Sequence, residues 1–191
     1  MICYTNREAV AACLDARLTT RVNRVIDDAV AAATGSIDGL CHRSFRPVAE
    51  TREVERTAYT IPTPSRLWLP HGWELAAVPT SVTAGGVTVA VADIKPWPAA
   101  GPPYSRLDLK LSSPSSWWDG DPDLGINVAD LWGYRNDETS AGTVTEVLDA
   151  SETSVDVSDS SAIGIGDLVR VDSERMTVTG KTMFDTGQVT G

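Results

Sequence analysis

With 191 residues, 42% of them apolar, and a formal net charge of −10, the chain is long enough for one large domain or two small ones and can bury a core. The acidity argues against a nucleic-acid reader, which carries a basic stripe. It is also uneven: residues 142–191 hold nine acids against three bases, whereas residues 1–50 hold six of each.

The first element opens at Thr5-Asn6-Arg7-Glu8, a Ser/Thr-x-x-Glu capping box leading into an Ala-rich helix through Leu18. A second helix follows, with Thr19 or Thr20 as its cap and Gly39 as its end. Its apolar residues Val22, Val25, Ile26, Ala29, Val30 and Ala33 recur at steps of three and four, while Arg21, Arg24, Asp27 and Asp28 take the other face. Those six residues are the candidates for packing against neighbouring subunits, because a helical hairpin cannot bury such a stripe alone. Cys3, Cys13 and Cys41 form no C-x-x-C, and an odd count fits buried free thiols in a reducing cytosol.

After Pro47 the texture becomes that of strands. Arg52–Tyr59 is polar and extended, Leu67-Trp68-Leu69 is a short apolar run, and Ser81–Thr83 with Val87–Val91 around Gly85-Gly86 reads as a hairpin. Leu107, Leu109 and Leu111 alternate, and Ile126–Val128 leads to Trp132-Gly133-Tyr134. Pro96–Pro103 and Ser112–Pro122 read as loops rich in Pro, Ser and Trp. Beyond a polar linker at 136–142 comes an acidic β-pattern over 143–191, with strands at Val169/Val171 and Met176/Val178 and a tight turn at Ile163–Asp167. The fold class is therefore α+β: an N-terminal helical hairpin (about 5–40) packed on a β-rich region (about 51–134), forming a domain over 1–135, followed by a small all-β C-terminal module. Some fifty residues are marginal for an independent domain, so the module is expected to lean on a partner, or the natural chain continues past Gly191.

Catalysis finds little to work with. His42 and His71 sit in no metal-ligand or nucleophile motif, and the neighbours Cys41 and His42 point apart on any regular element. Neither Gly85-Gly86 nor Gly164/Gly166 has the Lys and helix of a phosphate loop. The expectation is no enzyme and no cofactor. Asp119, Asp121 and Asp123, with Asp130 at the twelfth position, imitate a calcium loop, but the glycine is displaced, the last ligand is Asp, and no helices flank it. An acidic turn is the default reading. Six tryptophans are many for a chain with two phenylalanines. Trp97, Trp117 and Trp118, set in loops, are candidates for partner contact, and Met183 and Phe184 join them.

The ordered series Ala29–Ile37, Cys41-His42-Arg43-Ser44-Phe45, Thr51-Arg52, Leu67-Trp68-Leu69-Pro70, Val78-Pro79-Thr80-Ser81-Val82-Thr83 and Trp132-Gly133-Tyr134 resembles the head-tail connector (adaptor) proteins of siphophages infecting actinobacteria, over residues 5–135. The resemblance implies a virion structural protein of the neck, made in the host cytoplasm. It further implies a dodecameric ring of this chain, docked on the portal protein, linked to stopper or tail-terminator proteins, with non-specific passage of double-stranded DNA through its lumen. An acidic lumen would let the phosphate backbone slide without sticking. No apolar run spans a membrane and no signal sequence opens the chain, so no membrane is expected among its partners. The sequence departs from the family after Tyr134: Arg135–Glu138 leads into the β-module instead of a Pro and further helices, so the family's C-terminal portal contacts do not carry over. Gly166–Val178 looks like a segment recurring in phage structural proteins, as an appended interaction domain. Two alternatives share much of this profile: another neck or tail protein (a tail terminator or minor tail protein), and a carbohydrate-binding module using loop tryptophans.

Overall fold

The computed structural model describes residues 4–15, 17, 19–149 and 151–182. Cys3, Met183 and Phe184 lie outside the described residues. In chain order the elements are α1 (Arg7–Cys13), α2 (Thr20–Cys41), β1 (Val48–Val54), β2 (Arg66–Trp68), β3 (Ser81–Ala84), β4 (Val87–Val89), a 3₁₀ turn (Val91–Asp93), β5 (Ile94–Trp97), β6 (Arg106–Leu109), β7 (Ile126–Trp132), β8 (Leu168–Val171) and β9 (Glu174–Thr177). The class is mixed α+β, with helices at the N-terminus and antiparallel sheets after them. The chain divides into two compact units, 1–37 with 138–191, and 38–137.

In the first unit α1 and α2 pair through a small apolar core of Ala11, Ile26 and Val30, flanked by Val10 and Val22. Arg7 reaches across to Asp27 as an ion pair, and that hydrogen bond holds the Asp27 carboxyl below its ordinary range. The cap of α1 differs from that expected. Asn6, one residue after Thr5, accepts the Ala9 N–H through its side chain at 2.8 Å. The Glu8 carboxylate is thereby free to accept the Ile165 N–H at 2.8 Å instead of closing a capping box. Thr19 caps α2 by accepting the Val22 N–H at 3.3 Å. The helix runs through Gly39 to Cys41 and stops where His42 turns left-handed, at φ 50°.

Residues 138–182 fold against α1. Arg7 N–H donates to the Ile165 carbonyl at 3.2 Å, and the Asn6 amide donates to the Asp167 carboxylate at 2.9 Å. This approach needs Gly164, because a Cβ there would lie 2.4 Å from Asn6 Cγ. β8 and β9 form the expected hairpin through Asp172, and an isolated bridge joins Val144 to Val157. Glu138 receives both Arg170 and Arg175, at 2.6 and 2.9 Å, which ties the start of this segment to the hairpin.

The second unit carries a four-stranded sheet, order β1-β7-β3-β4, and a three-stranded sheet, order β2-β6-β5. The period-two pattern decides which side chains go in: Leu107 and Leu109 are buried while Arg106 and Asp108 on the same strand are not. β3 and β4 meet through Gly85 (φ 55°) and Gly86 (φ 81°), the two left-handed positions that a tight hairpin turn requires. The main core gathers Val54, Leu67, Leu75, Ile126, Trp117 and Trp132 from both sheets and the loops between them. Leu111, expected to continue the β6 alternation, lies past the strand end and is exposed.

Candidate interaction surfaces

The apolar stripe of α2 splits into two lines. Val22, Ile26 and Val30, continued by Thr34, turn toward α1 and are buried or half-buried. Val25, Ala29 and Ala33, continued by Ile37, form the adjacent line at steps of four and are exposed, Val25 by 62%. Leu40 extends this line at 82% exposure, and Gly35 and Gly39 beside it have open space above them. α1 is only seven residues long, too short to cover more than one line of a helix three times its length. The cysteines depart from expectation: Cys13 and Cys41 are free thiols but exposed, because each is the last residue of its helix, where the packing has ended.

Three of the segments that carry the connector resemblance, those of Arg43–Phe45, Arg52 and Trp132–Tyr134, make side-chain contacts with one another in the second unit. Tyr134 packs on Phe45 at 5.4 Å between ring centroids, and the Arg43 guanidinium lies 5.6 Å from the Tyr134 ring. Arg43 also pairs with Glu74 at 3.3 Å, and the Glu74 carbonyl accepts the Gly133 N–H. Arg52 sits 5.1 Å from the Trp73 ring and 4.9 Å from the Trp132 ring, which contact each other edge to face. Segments far apart in sequence thus meet in two aromatic and cationic groups beside the β1–β7 pair.

The tryptophans divide by environment. Trp117 is fully buried and anchors its loop in the core, its backbone N–H donating to the Pro64 carbonyl at 2.9 Å, so it is not a partner-contact residue. Trp118 beside it is exposed by 46%. Trp97 belongs to β5 and not to a loop. There it forms a cross-strand row with Arg106 of β6 and Trp68 of β2, in register. The Arg106 guanidinium lies 5.0 Å from the Trp68 ring and 4.8 Å from the Trp97 ring. The next row on the same face is Arg66, Asp108 and Lys95. Asp108 pairs with Arg66 at 3.3 Å and with Arg106 at 3.1 Å, while Lys95 makes no ion pair among the described residues and lies 4.9 Å from the Trp97 ring. The outer face of the small sheet therefore carries three cations against one carboxylate. Sequence reading passed over this face; the outward alternation of Arg106 and Asp108 between buried leucines is the signal that marks it.

The four aspartates of the calcium-like pattern are dispersed. Asp119 accepts the Ser116 N–H, Asp121 accepts the Asp123 N–H, and Asp130 stands on β7 opposite Glu50 of β1. Among the described residues no three His, Cys, Asp or Glu side chains gather to hold a metal. The loop is fixed instead by Arg56, which donates to the carbonyls of Asp119 at 2.5 Å and Asp121 at 3.3 Å, and by close backbone contact: a Cβ on Gly120 would lie 2.2 Å from the Gly85 carbonyl oxygen. Between this loop and the end of β1 is an open cleft of about 410 Å³ with Glu53, Glu55, Asp123 and Leu124 on its walls. Glu53 accepts the Gly125 N–H at 2.9 Å; Glu55 and Asp123 make no ion pair among the described residues. Burial raises the Asp130 carboxyl above its ordinary range, partly offset by the Leu131 N–H. His42 and His71 are both exposed. No described helix is long and apolar enough to cross a membrane.

Comparison with protein families, with curated proteins and with solved structures finds no match to this chain.

Proposed function

We propose that the chain is a structural subunit of a phage head-to-tail connector ring. In this reading it docks on the portal, links it to stopper or tail proteins, and leaves a lumen for the genome. The observation that carries the reading is a set of side-chain contacts in the second unit. Phe45 and Arg43 meet Tyr134, and Arg52 meets Trp132, so three segments of the ordered motif set that resembles siphophage adaptors pack on one another beside the β1–β7 pair. Motif segments that pack on one another support a shared scaffold more strongly than the same residues scattered over the surface would. The outer line of α2 adds a second support. Val25, Ile37 and Leu40 leave apolar area in water, and each well-buried side chain of this size is worth about 1.5–3 kcal/mol if a neighbour covers it. The mechanism is geometric: a repeated contact closes a ring, and an acidic wall keeps DNA from adhering.

The test is a mass measurement of the protein mixed with the portal from the same phage. A complex of portal-ring size bearing multiple copies of this chain is expected. A chain that stays monomeric beside an assembled portal overturns the proposal, and binding to a tail tube end in its place would assign it to another neck or tail position. Tryptophan fluorescence protected by sugar, with no effect of portal, would move the assignment to a carbohydrate-binding module.

A further inference from the structure

Resting on that reading, and deepening it, we infer that the outer face of the β2-β6-β5 sheet of one copy docks into the acidic cleft between β1 and the Asp119–Gly125 loop of the next copy. Both surfaces belong to the same compact unit, so each copy carries both halves of the contact.

The two surfaces complement each other in charge. The sheet face presents Arg66, Arg106 and Lys95 around a single carboxylate, in a chain whose net charge is −10. The cleft presents Glu53, Glu55 and Asp123, while its one cation, Arg56, is already bonded to two backbone carbonyls. Lys95 on one side and Glu53, Glu55 and Asp123 on the other make no ion pair among the described residues. They also match in apolar content. Trp68 on the face is 40% exposed and Leu124 on the cleft wall 48%, so each surface offers one large apolar side chain beside its charges. Arg106 is held between two indoles, which fixes its guanidinium before any partner arrives and lowers the ordering cost of binding. Because the face and the cleft are different surfaces, the contact is heterologous. It does not stop at a dimer but propagates head to tail, and it closes when the rotation per copy allows.

The experiment measures self-association of the full chain by sedimentation over rising concentration, at about 0.05 and about 0.5 M salt. Lys95→Glu, Glu55→Lys and the chain carrying both are compared with the wild type. Lys95 and Glu55 are exposed, so thermal melts of the monomers are expected to coincide. The wild type should associate more strongly at low salt. Each single substitution should weaken association about tenfold or more, since like charges then face each other. The double variant should return to within about threefold of the wild type, because every interface regains opposite charges. Association that ignores the substitutions overturns this pairing and leaves the ring reading to the portal measurement. An effect of Lys95→Glu with none of Glu55→Lys overturns it too, since the face then meets something other than the cleft. A wild type that remains monomeric up to about millimolar concentration overturns it independently of whether portal binds. So does a Lys95→Glu effect confined to retention of single-stranded DNA, which would assign the face to nucleic acid.

Discussion

Asp130 occupies a position where burial works against its charge. It lies on β7 between Val128 and Trp132, both buried, and its register partner across the sheet is another acid, Glu50, which is itself paired with Arg52. One of its carboxylate oxygens is buried without a hydrogen-bond partner among the described residues. Burial raises its pKa, so the folded chain holds the proton more tightly than the unfolded chain does. The folded state therefore binds more protons between the ordinary and the raised value, and stability falls as pH rises through that interval. Asp130→Asn removes the charge and keeps the shape. Urea unfolding should show a higher midpoint for Asp130→Asn than for the wild type at pH 7, with the difference gone by about pH 3, where the wild-type group is protonated in both states. An equal gain at both pH values would mean that the charge is not the cause. None of this was legible from the sequence, where Asp130 reads only as the last member of an acidic series; its burial follows from β1 and β3 pairing on either side of β7. Trp117 was hidden for the same reason. Its Pro/Ser neighbours read as an exposed loop, and only the distant Pro64 carbonyl, which fixes the loop over the core, reveals its burial.

At the scale of elements, local pattern was a good guide where it is strictly periodic. The β3–β4 hairpin, the β8–β9 hairpin and the body of α2 follow from alternation, left-handed turn residues and the three-four spacing. Helix ends followed less well: Asn6 and Thr5 are neighbouring cap candidates, Asn6 caps α1, and Glu8 accepts the Ile165 N–H instead of closing a box with Thr5. The stripe of α2 was recognisable as apolar, but its division into two lines depends on how short α1 is. This division makes two adjacent valine and isoleucine positions behave oppositely. Ile26→Asp places a charge in the α1–α2 core and should unfold the hairpin, lowering the cooperative transition of the unit by several degrees or abolishing it. Val25→Asp stands in water and should leave the isolated chain's melt within about 0.5 kcal/mol of wild type while weakening any assembly that covers the outer line. Paired circular-dichroism melts and portal binding distinguish the two. A Val25→Asp chain that melts early would return that residue to the intramolecular core, and one that assembles normally would show that the outer line is not a contact.

For the whole molecule, connectivity and compactness disagree in a testable way. The first unit is made of the two ends of the chain, and the second is a continuous stretch, 38–137, inserted between them. The described residues between 142 and 182 expose much of their surface, and β8 and β9 form only a two-stranded sheet. Such a hairpin is marginal on its own. It is completed within the chain by α1, through Arg7, Glu8, Asn6 and the space left by Gly164. Composition changes at 136–142, where the second unit ends at Asp137, but it carries no information on which distant segment a hairpin uses for support. The main core, from Val54 to Trp132, lies wholly inside the inserted stretch. A fragment of residues 38–137 should therefore fold by itself, giving dispersed amide resonances and a cooperative melt. A fragment of residues 138–191 should be unfolded alone and should gain structure when a peptide spanning residues 1–37 is added. A folded 138–191 fragment that ignores that peptide would show that α1 is not what completes it. An unfolded 38–137 fragment would show that its core depends on the chain ends that flank it.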